Sequence, residues 1–223
     1  MGKIIVIEGL DGCGKQTQSE KLYQRLKEEN YPVMKIAYPR YENPSSSLVK
    51  MYLSGEFGKN PNEISPYIAS TFYAVDRYAS YKQDYEEFYK NGGILILDRY
   101  VTANMVHQAG KIDDIEERDK FLKWLWDFEF NLFGIPVPDK VFFLNIPPEV
   151  SQKLMAEREN KFSHEKEKDI HESNKEYLNK MYTSACYLIE KFNWDEINCT
   201  KDGTLRSIED IHKEIYEKAM QIL

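Results

Sequence analysis

Residues 9–17 read GLDGCGKQT. Gly9, Gly14 and Lys15 have the spacing of a G-x-x-x-x-G-K loop, in which backbone N–H groups cradle phosphate and the lysine reaches the terminal phosphates. Gly9, Gly12 and Gly14 admit backbone conformations and a close approach that side chains would obstruct. Cys13 reads as a small space-filler. The residue after the lysine is ordinarily Ser or Thr, whose hydroxyl serves a magnesium ion. Here it is Gln16, and the hydroxyl comes one place later, at Thr17. Asp98 is the candidate metal carboxylate, directly or through water. It ends an apolar strand pattern, and ligands of parallel α/β sheets sit at that end of the strands.

Three short motifs each carry an arginine: YPRY (38–41) with Arg40, YAVDR (73–77) with Arg77, and DRY (98–100) with Arg99. Arginine is the planar, forked donor suited to phosphate. Taken singly, each is read more simply as a surface ion pair. Taken together, with two of them following strand patterns beside a phosphate loop, they favour a second phosphate, on an acceptor. Tyr73 and Arg77 are four apart and share a helix face, so a ring for a base and a cation lie side by side.

These groups need a scaffold. Apolar runs at 3–8, 33–38, 93–98 and 140–146, and a weaker one at 195–200, predict strands covered on both faces, as in a parallel sheet. Helical patterns follow the loop at 16–30 and recur over 65–90, 115–133, 149–160, 170–192 and 207–221. Ser65-Pro66 and Ser207 with Asp210 act as start signals. Strands alternating with helices predict one parallel α/β domain over 1–223. The charged stretch 156–172 reads either as a solvated helix and loop or as a mobile lid, the lid spanning about 156–170.

The whole chain sets bounds. It has 223 residues, 42% of them hydrophobic, and a net charge of −7. That balance disfavours nucleic acid and anionic membranes as partners. Three widely spaced cysteines give no disulfide framework and suggest a reducing compartment. No apolar run approaches the ~18 residues of a membrane helix, and the N-terminus starts a strand rather than a signal peptide. A cytoplasmic location is expected.

In order and approximate spacing, EGLDGCGKQTQ, YPRY, YAVDR, DRYVTANMVHQAG, PDKVFFLNIPPEV and KDIHESNKEYL resemble the thymidylate kinases, a family of P-loop nucleoside monophosphate kinases. The resemblance covers nearly the whole chain. It implies the P-loop NTPase fold, a five-stranded parallel sheet flanked by helices with a mobile lid. It implies ATP-dependent phosphorylation of dTMP to dTDP for dTTP synthesis, with Mg2+, in a homodimer. It further implies that Asp11 lies by the acceptor's sugar and phosphate, and that Arg40 and Arg99 clamp that phosphate, with Tyr41 beside them. Tyr73 takes the place of a base-stacking Phe, Arg77 hydrogen-bonds the base, and Asn104 and Gln108 match polar positions of the acceptor pocket. The family includes loops with a non-hydroxyl residue after the lysine, so Gln16-Thr17 is compatible with activity. Gly12 stands where some members carry a loop arginine. Members without it draw the cation from the lid, which nominates Arg158, with Lys161 next. His107 departs from the family's usual Tyr or Phe.

The rival reading is a deoxynucleoside kinase, which wants a carboxylate base after the second strand. Here that place holds Arg40, with only Glu42 nearby. A GTP-dependent switch would need N-K-x-D, and NKMY (179–182) lacks the Asp. A nucleotide-binding protein without catalysis is the third possibility.

Overall fold

The computed structural model describes residues 1–161 and 175–223, with side chains over 1–60, 62–154 and 178–223. The expected lid at 156–170, with Arg158 and Lys161, lies outside the described side chains.

β1 (Lys3–Glu8), β2 (Val33–Ala37), β3 (Ile94–Asp98), β4 (Lys140–Asn145) and β5 (Asp195–Asn198) form one sheet in the order β2-β3-β1-β4-β5. Every neighbouring pair is parallel, with Ile7 opposite Asp98 on one side of β1 and opposite Phe142 on the other. These are the five runs expected from the sequence, trimmed by at most two residues at an end.

The runs are apolar at successive positions because both faces of the sheet are covered. Ile4, Val6, Leu95, Leu97, Val141 and Phe143 point into one layer, with Met105, Phe121, Leu125, Met181 and Leu188. Ile5, Ile7, Ile94, Ile96, Phe142 and Leu144 point into the other, with Leu22, Leu26, Ile211 and Ile215. Each such side chain contributes about 1.5–3 kcal/mol by leaving water. The first layer is built on α5 (Val101–His107), α6 (Ile115–Trp126) and α8 (Lys175–Phe192). The second rests on α1 (Lys15–Glu28) and α9 (Ile208–Ala219).

The helix starts follow the local chemistry. Ser207 Oγ accepts from the Asp210 N–H at 3.1 Å, the box-like cap expected for α9. Asp114 caps α6 by accepting from the Glu117 N–H at 2.9 Å. α3 (Pro66–Ser80) begins directly after Ser65, with proline in its first turn. It continues through a π-helical turn at 81–85 into α4 (Glu86–Lys90), filling the predicted 65–90 helix. α6 continues into a second π-helical turn, at 127–132. α7 spans Pro148–Lys161.

The seven-residue helices α2 (Ser47–Leu53) and α5, and the hairpin of β6 (Thr200–Lys201) and β7 (Thr204–Leu205), were not expected. Two helical turns give too short a period to register in sequence, and tertiary packing carries such helices. α5 matters most, because it brings Asn104 and His107 to the carboxyl end of the sheet.

Candidate active site

The phosphate loop leaves β1 and opens α1, as its spacing requires. Gly9 sits where a Cβ would stand 2.6 Å from Cys13 Sγ and 3.0 Å from the Leu144 carbonyl oxygen, so the loop can lie down on β4 only as glycine. Gly14 caps α1 at φ 91°, in the left-handed region, and a Cβ there would meet nothing within 4 Å. The first case is about packing beneath the loop, the second about turning the chain into the helix. Cys13 is buried under the loop, and burial pushes its thiol pKa up, so it fills space and is not poised to react. Lys15 Nζ donates to the carbonyls of Gly9 and Leu10, each at 2.8 Å, and lies 3.8 Å from Asp11.

A single cavity of about 710 Å³ joins this loop to the acceptor-side residues. Asp11, Gly12, Gly14, Lys15, Gln16 and Thr17 line one end. Tyr41, Tyr73, Arg77, Asn104, His107 and Gln108 line the other, with Asp98 and Arg99 between them. Gly9, Cys13 and Arg40 are outside the lining. Gly9 and Cys13 lie beneath the loop, and the Arg40 side chain is ion-paired with Asp84. Asp76, buried beside Arg77 on α3, accepts from the Arg40 N–H at 2.8 Å and the Ser45 hydroxyl at 2.6 Å. It thereby ties the YPRY turn to the helix. Glu42 is exposed and does not line the cavity.

Arg99 links the two ends. Its φ of 66° is uncommon for a residue with a side chain and turns the chain from β3 toward α5. Its N–H donates to the Ile7 carbonyl at 3.2 Å. Its guanidinium is ion-paired with Asp11 and lies 3.5 Å from His107 Nε2. Burial works against the charge on Arg99, but the carboxylates of Asp11, Glu8 and Asp98 more than offset it and raise its pKa. Burial would likewise raise Asp11, yet Arg99 and then Lys15 hold its carboxyl well below the usual carboxylate range. Asp98 moves the other way: burial lifts its pKa, against the fields of Lys15, Arg99 and Lys35.

At the far end Arg77 is 1% exposed and forms a forked pair with Glu129, Nε to Oε2 and Nη2 to Oε1, both 2.6 Å. Burial disfavours its charge, and Glu129 restores it, leaving the Arg77 pKa raised. Tyr73 packs edge-on against Tyr52 at 6.3 Å, four residues before Arg77 on the same face of α3. Asn104 Nδ2 donates to the Ser70 carbonyl at 3.2 Å. Gln108 is buried, and among the described residues its Oε1 takes no hydrogen bond.

Three acids that sequence reasoning did not assign hold this site together. Glu129 pairs with Arg77. Asp76 anchors the YPRY turn. Glu8, wholly buried, accepts from the Gly9 N–H at 3.0 Å and the Thr102 hydroxyl at 2.7 Å, beneath the loop. A signal existed for two of them. Glu8 closes the strand KIIVIE after four successive apolar residues, and Glu129 is flanked by Phe128 and Phe130 in WLWDFEF (124–130). A carboxylate in such surroundings requires a buried partner.

The chain is 28% identical to the thymidylate kinase of Plasmodium falciparum over 99% of this chain and 91% of that protein. It is 30% identical to the probable thymidylate kinase of Methanocaldococcus jannaschii, covering 95% and 92%. A solved thymidylate kinase from Candida albicans superposes with a TM-score of 0.72 at 20% identity, covering 99% of this chain and 92% of that one. That likeness speaks for the fold. The model of the thymidylate kinase family matches residues 7–215, nearly the whole length from loop to last helix, and the chain belongs to that family.

Proposed function

We propose that this protein is a thymidylate kinase, transferring the γ-phosphoryl group of ATP to the 5′-phosphate of dTMP to give dTDP, a step toward dTTP. One observation carries the reading: a phosphate loop and an arginine-and-aromatic acceptor wall face each other across one cavity. The rival deoxynucleoside kinase is disfavoured, because the place for its base holds Arg40 and the nearby Glu42 is outside the cavity lining.

The attacking oxygen of the acceptor phosphate is already anionic, so no general base is needed. Catalysis is positioning and charge neutralisation. The loop N–H groups at the start of α1 bind the β- and γ-phosphates of ATP, and Lys15 follows the transferring group. Arg99 neutralises the acceptor phosphate, with Tyr41 in the same cavity wall; Arg40, paired with Asp84 outside the lining, would have to leave that acid to join it. Asp11 orients Arg99 and faces the acceptor sugar. The base stacks on Tyr73. Its 4-keto oxygen accepts from Arg77, and its ring N–H donates to an amide oxygen of Asn104 or Gln108.

The carboxylate of Asp98 and the hydroxyl of Thr17 are hard oxygen donors that both line the cavity, and their chemistry fits Mg2+, directly or through water. The ion, when bound, offsets charge on the β- and γ-phosphates. Arg158 is assigned the remaining cation, because Gly12 leaves the loop without one. A lid at about 156–170 would exclude water and suppress ATP hydrolysis.

A second copy of the chain is the proposed partner. Ile68, Val75 and Tyr78 are 53%, 45% and 40% exposed along one face of α3, with Leu48 of α2 also exposed. Exposed apolar side chains of this kind on one helix suit an isologous contact. Charge substitution at Ile68 and Val75 should give a monomer by light scattering. A wild type that is already monomeric at micromolar concentration overturns the dimer. Among the described residues no helix is long and apolar enough to cross a membrane.

The test of function is a panel of deoxynucleoside monophosphates and thymidine, each with ATP and Mg2+, read as nucleoside diphosphate formed. dTMP should be the best substrate and thymidine inert. Thymidine phosphorylated in preference to dTMP would overturn the reading.

A further inference from the structure

Arg77 and Glu129 are both almost wholly inside the protein, at 1% and 0% exposure. Such a pair is not an obvious stabiliser, since desolvating two charges costs several kcal/mol that their attraction need not return. The pair does not close a gap in the middle of the core. It stands at the wall of the cavity, where Arg77 is a lining residue. Its geometry is specific. The carboxylate takes the side edge of the guanidinium through Nε and Nη2, both at 2.6 Å. Nη1 lies 3.4 Å from the Tyr100 carbonyl, a long contact. What remains for a ligand is the end edge, which consists of N–H donors only.

The backbone explains how the carboxylate gets there. Glu129 lies in the π-helical turn 127–132, which follows α6. One-turn π segments of this kind widen the helix and recur at functional sites. The other π-helical turn, 81–85, contains Asp84, the ion-pair partner of Arg40. Both π-helical turns among the described residues thus present an acid to an arginine of the acceptor side.

We infer that Glu129 is a positioning residue for base choice: by holding the side edge of Arg77, it fixes the direction of the remaining end-edge donors at the base end of the cavity and so sharpens selection of a 4-keto over a 4-amino pyrimidine. A keto oxygen accepts from that edge. An amino group brings donors against donors and leaves the end-edge donors of the buried guanidinium without an acceptor from the base, which is the strong form of discrimination. The inference rests on the thymidylate kinase reading and adds the residue that sets the orientation.

The experiment compares kcat/KM for dTMP and dCMP in wild type, Glu129→Gln and Glu129→Asp. The wild type should favour dTMP by about 100-fold or more. Glu129→Gln offers one donor and one acceptor to a group with donors only, and Glu129→Asp draws the carboxylate back by one methylene. Both should raise the dTMP KM about tenfold and cut the dTMP-to-dCMP ratio about tenfold, with kcat changing less. A purely structural pair would lower Tm and leave the ratio intact, and that result overturns the inference. Asp84→Asn serves as the contrast, weakening dTMP and dCMP alike.

A measurement on the wild type covers variants that fail to fold. The Arg77 Nε–H should be protected from exchange by NMR, and it should shift with dTMP and not with dCMP. A rapidly exchanging Nε–H also overturns the inference. If the wild type does not phosphorylate dTMP at all, the functional reading falls first, and the two failures remain distinct.

Discussion

The two ends of the cavity are built by opposite means. The phosphate end is one run of chain, residues 9–17, in which glycine geometry and the start of α1 do the positioning. The acceptor end collects Tyr41 after β2, Tyr73 and Arg77 from α3, Arg99 after β3, and Asn104, His107 and Gln108 from α5 and the turn that follows it. Its arginines are each held by an acid: Arg99 by Asp11, Arg77 by Glu129 and Arg40 by Asp84. The difference follows from what each end must recognise. Phosphate is bound well by backbone N–H groups that a short sequence can aim. A base and a sugar need side chains of fixed orientation, and a long, flexible arginine is fixed only by a second group.

The largest expected effect tests the phosphate end. Lys15→Ala should lower kcat by about a thousandfold, or several kcal/mol of transition-state stabilisation, while the protein remains folded. Near-normal turnover in a folded Lys15→Ala protein would remove the loop from the mechanism and break the contrast.

Next comes the cation that Gly12 does not supply. Arg158→Ala should lower kcat by about a hundredfold and change the dTMP KM far less, because its contact belongs to the transition state. If steady-state kinetics instead show a change in acceptor affinity alone, another residue provides that charge.

The glycines sharpen the account of the loop. Gly9→Ala forces a Cβ against Cys13 Sγ and the Leu144 carbonyl, and should cost about 1–3 kcal/mol. At about 2–4 °C per kcal/mol, that is a readable drop in Tm. Gly14→Ala meets open space and only the strain of φ 91°, whereas Gly9→Ala adds its clash to the strain of φ 155°, so Gly14→Ala should cost less stability. Scanning calorimetry that ranks them the other way would show that packing on β4 is not what Gly9 provides.

The smallest effect concerns the acceptor sugar. The resemblance to the family places a Tyr or Phe at position 107, near where a ribose 2′-hydroxyl would project; here it is His107, whose Nε2 lies 3.5 Å from the Arg99 guanidinium. A nitrogen engaged there is turned from a ribose 2′-hydroxyl, so the ring should act by bulk. The protein should favour deoxyuridine monophosphate over uridine monophosphate by about tenfold in kcat/KM, with dTMP better than both. Equal values for the uridine pair would mean that His107 does not exclude ribose.

Much of this protein was legible in one dimension. The five strands could be read because a strand covered on both faces must be apolar at successive positions, and that leaves a run in the sequence. The loop could be read because its function is carried by consecutive residues and by glycines that only their backbone positions explain. Arg77 and Arg99 could be noticed as a type and a place, and the structure sets both in the wall of one cavity. What sequence could not supply was partnership. Nothing near Glu129 in the chain announces Arg77, 52 residues away, and nothing near Asp11 announces Arg99, 88 residues away. The seven-residue α5 and the π-helical turns left no period to detect.

Local spacing and the pattern of apolar runs therefore determined the class of fold and the phosphate loop, because those depend on interactions between near neighbours and on average surroundings, and the ordered motifs carried the resemblance to the family. The direction of each arginine, the burial of the acids behind them and the joining of both ends into one cavity were decided only in the folded chain. Those features are contacts across the sheet, and their energies come from desolvation and paired charge in a space that the linear order does not encode.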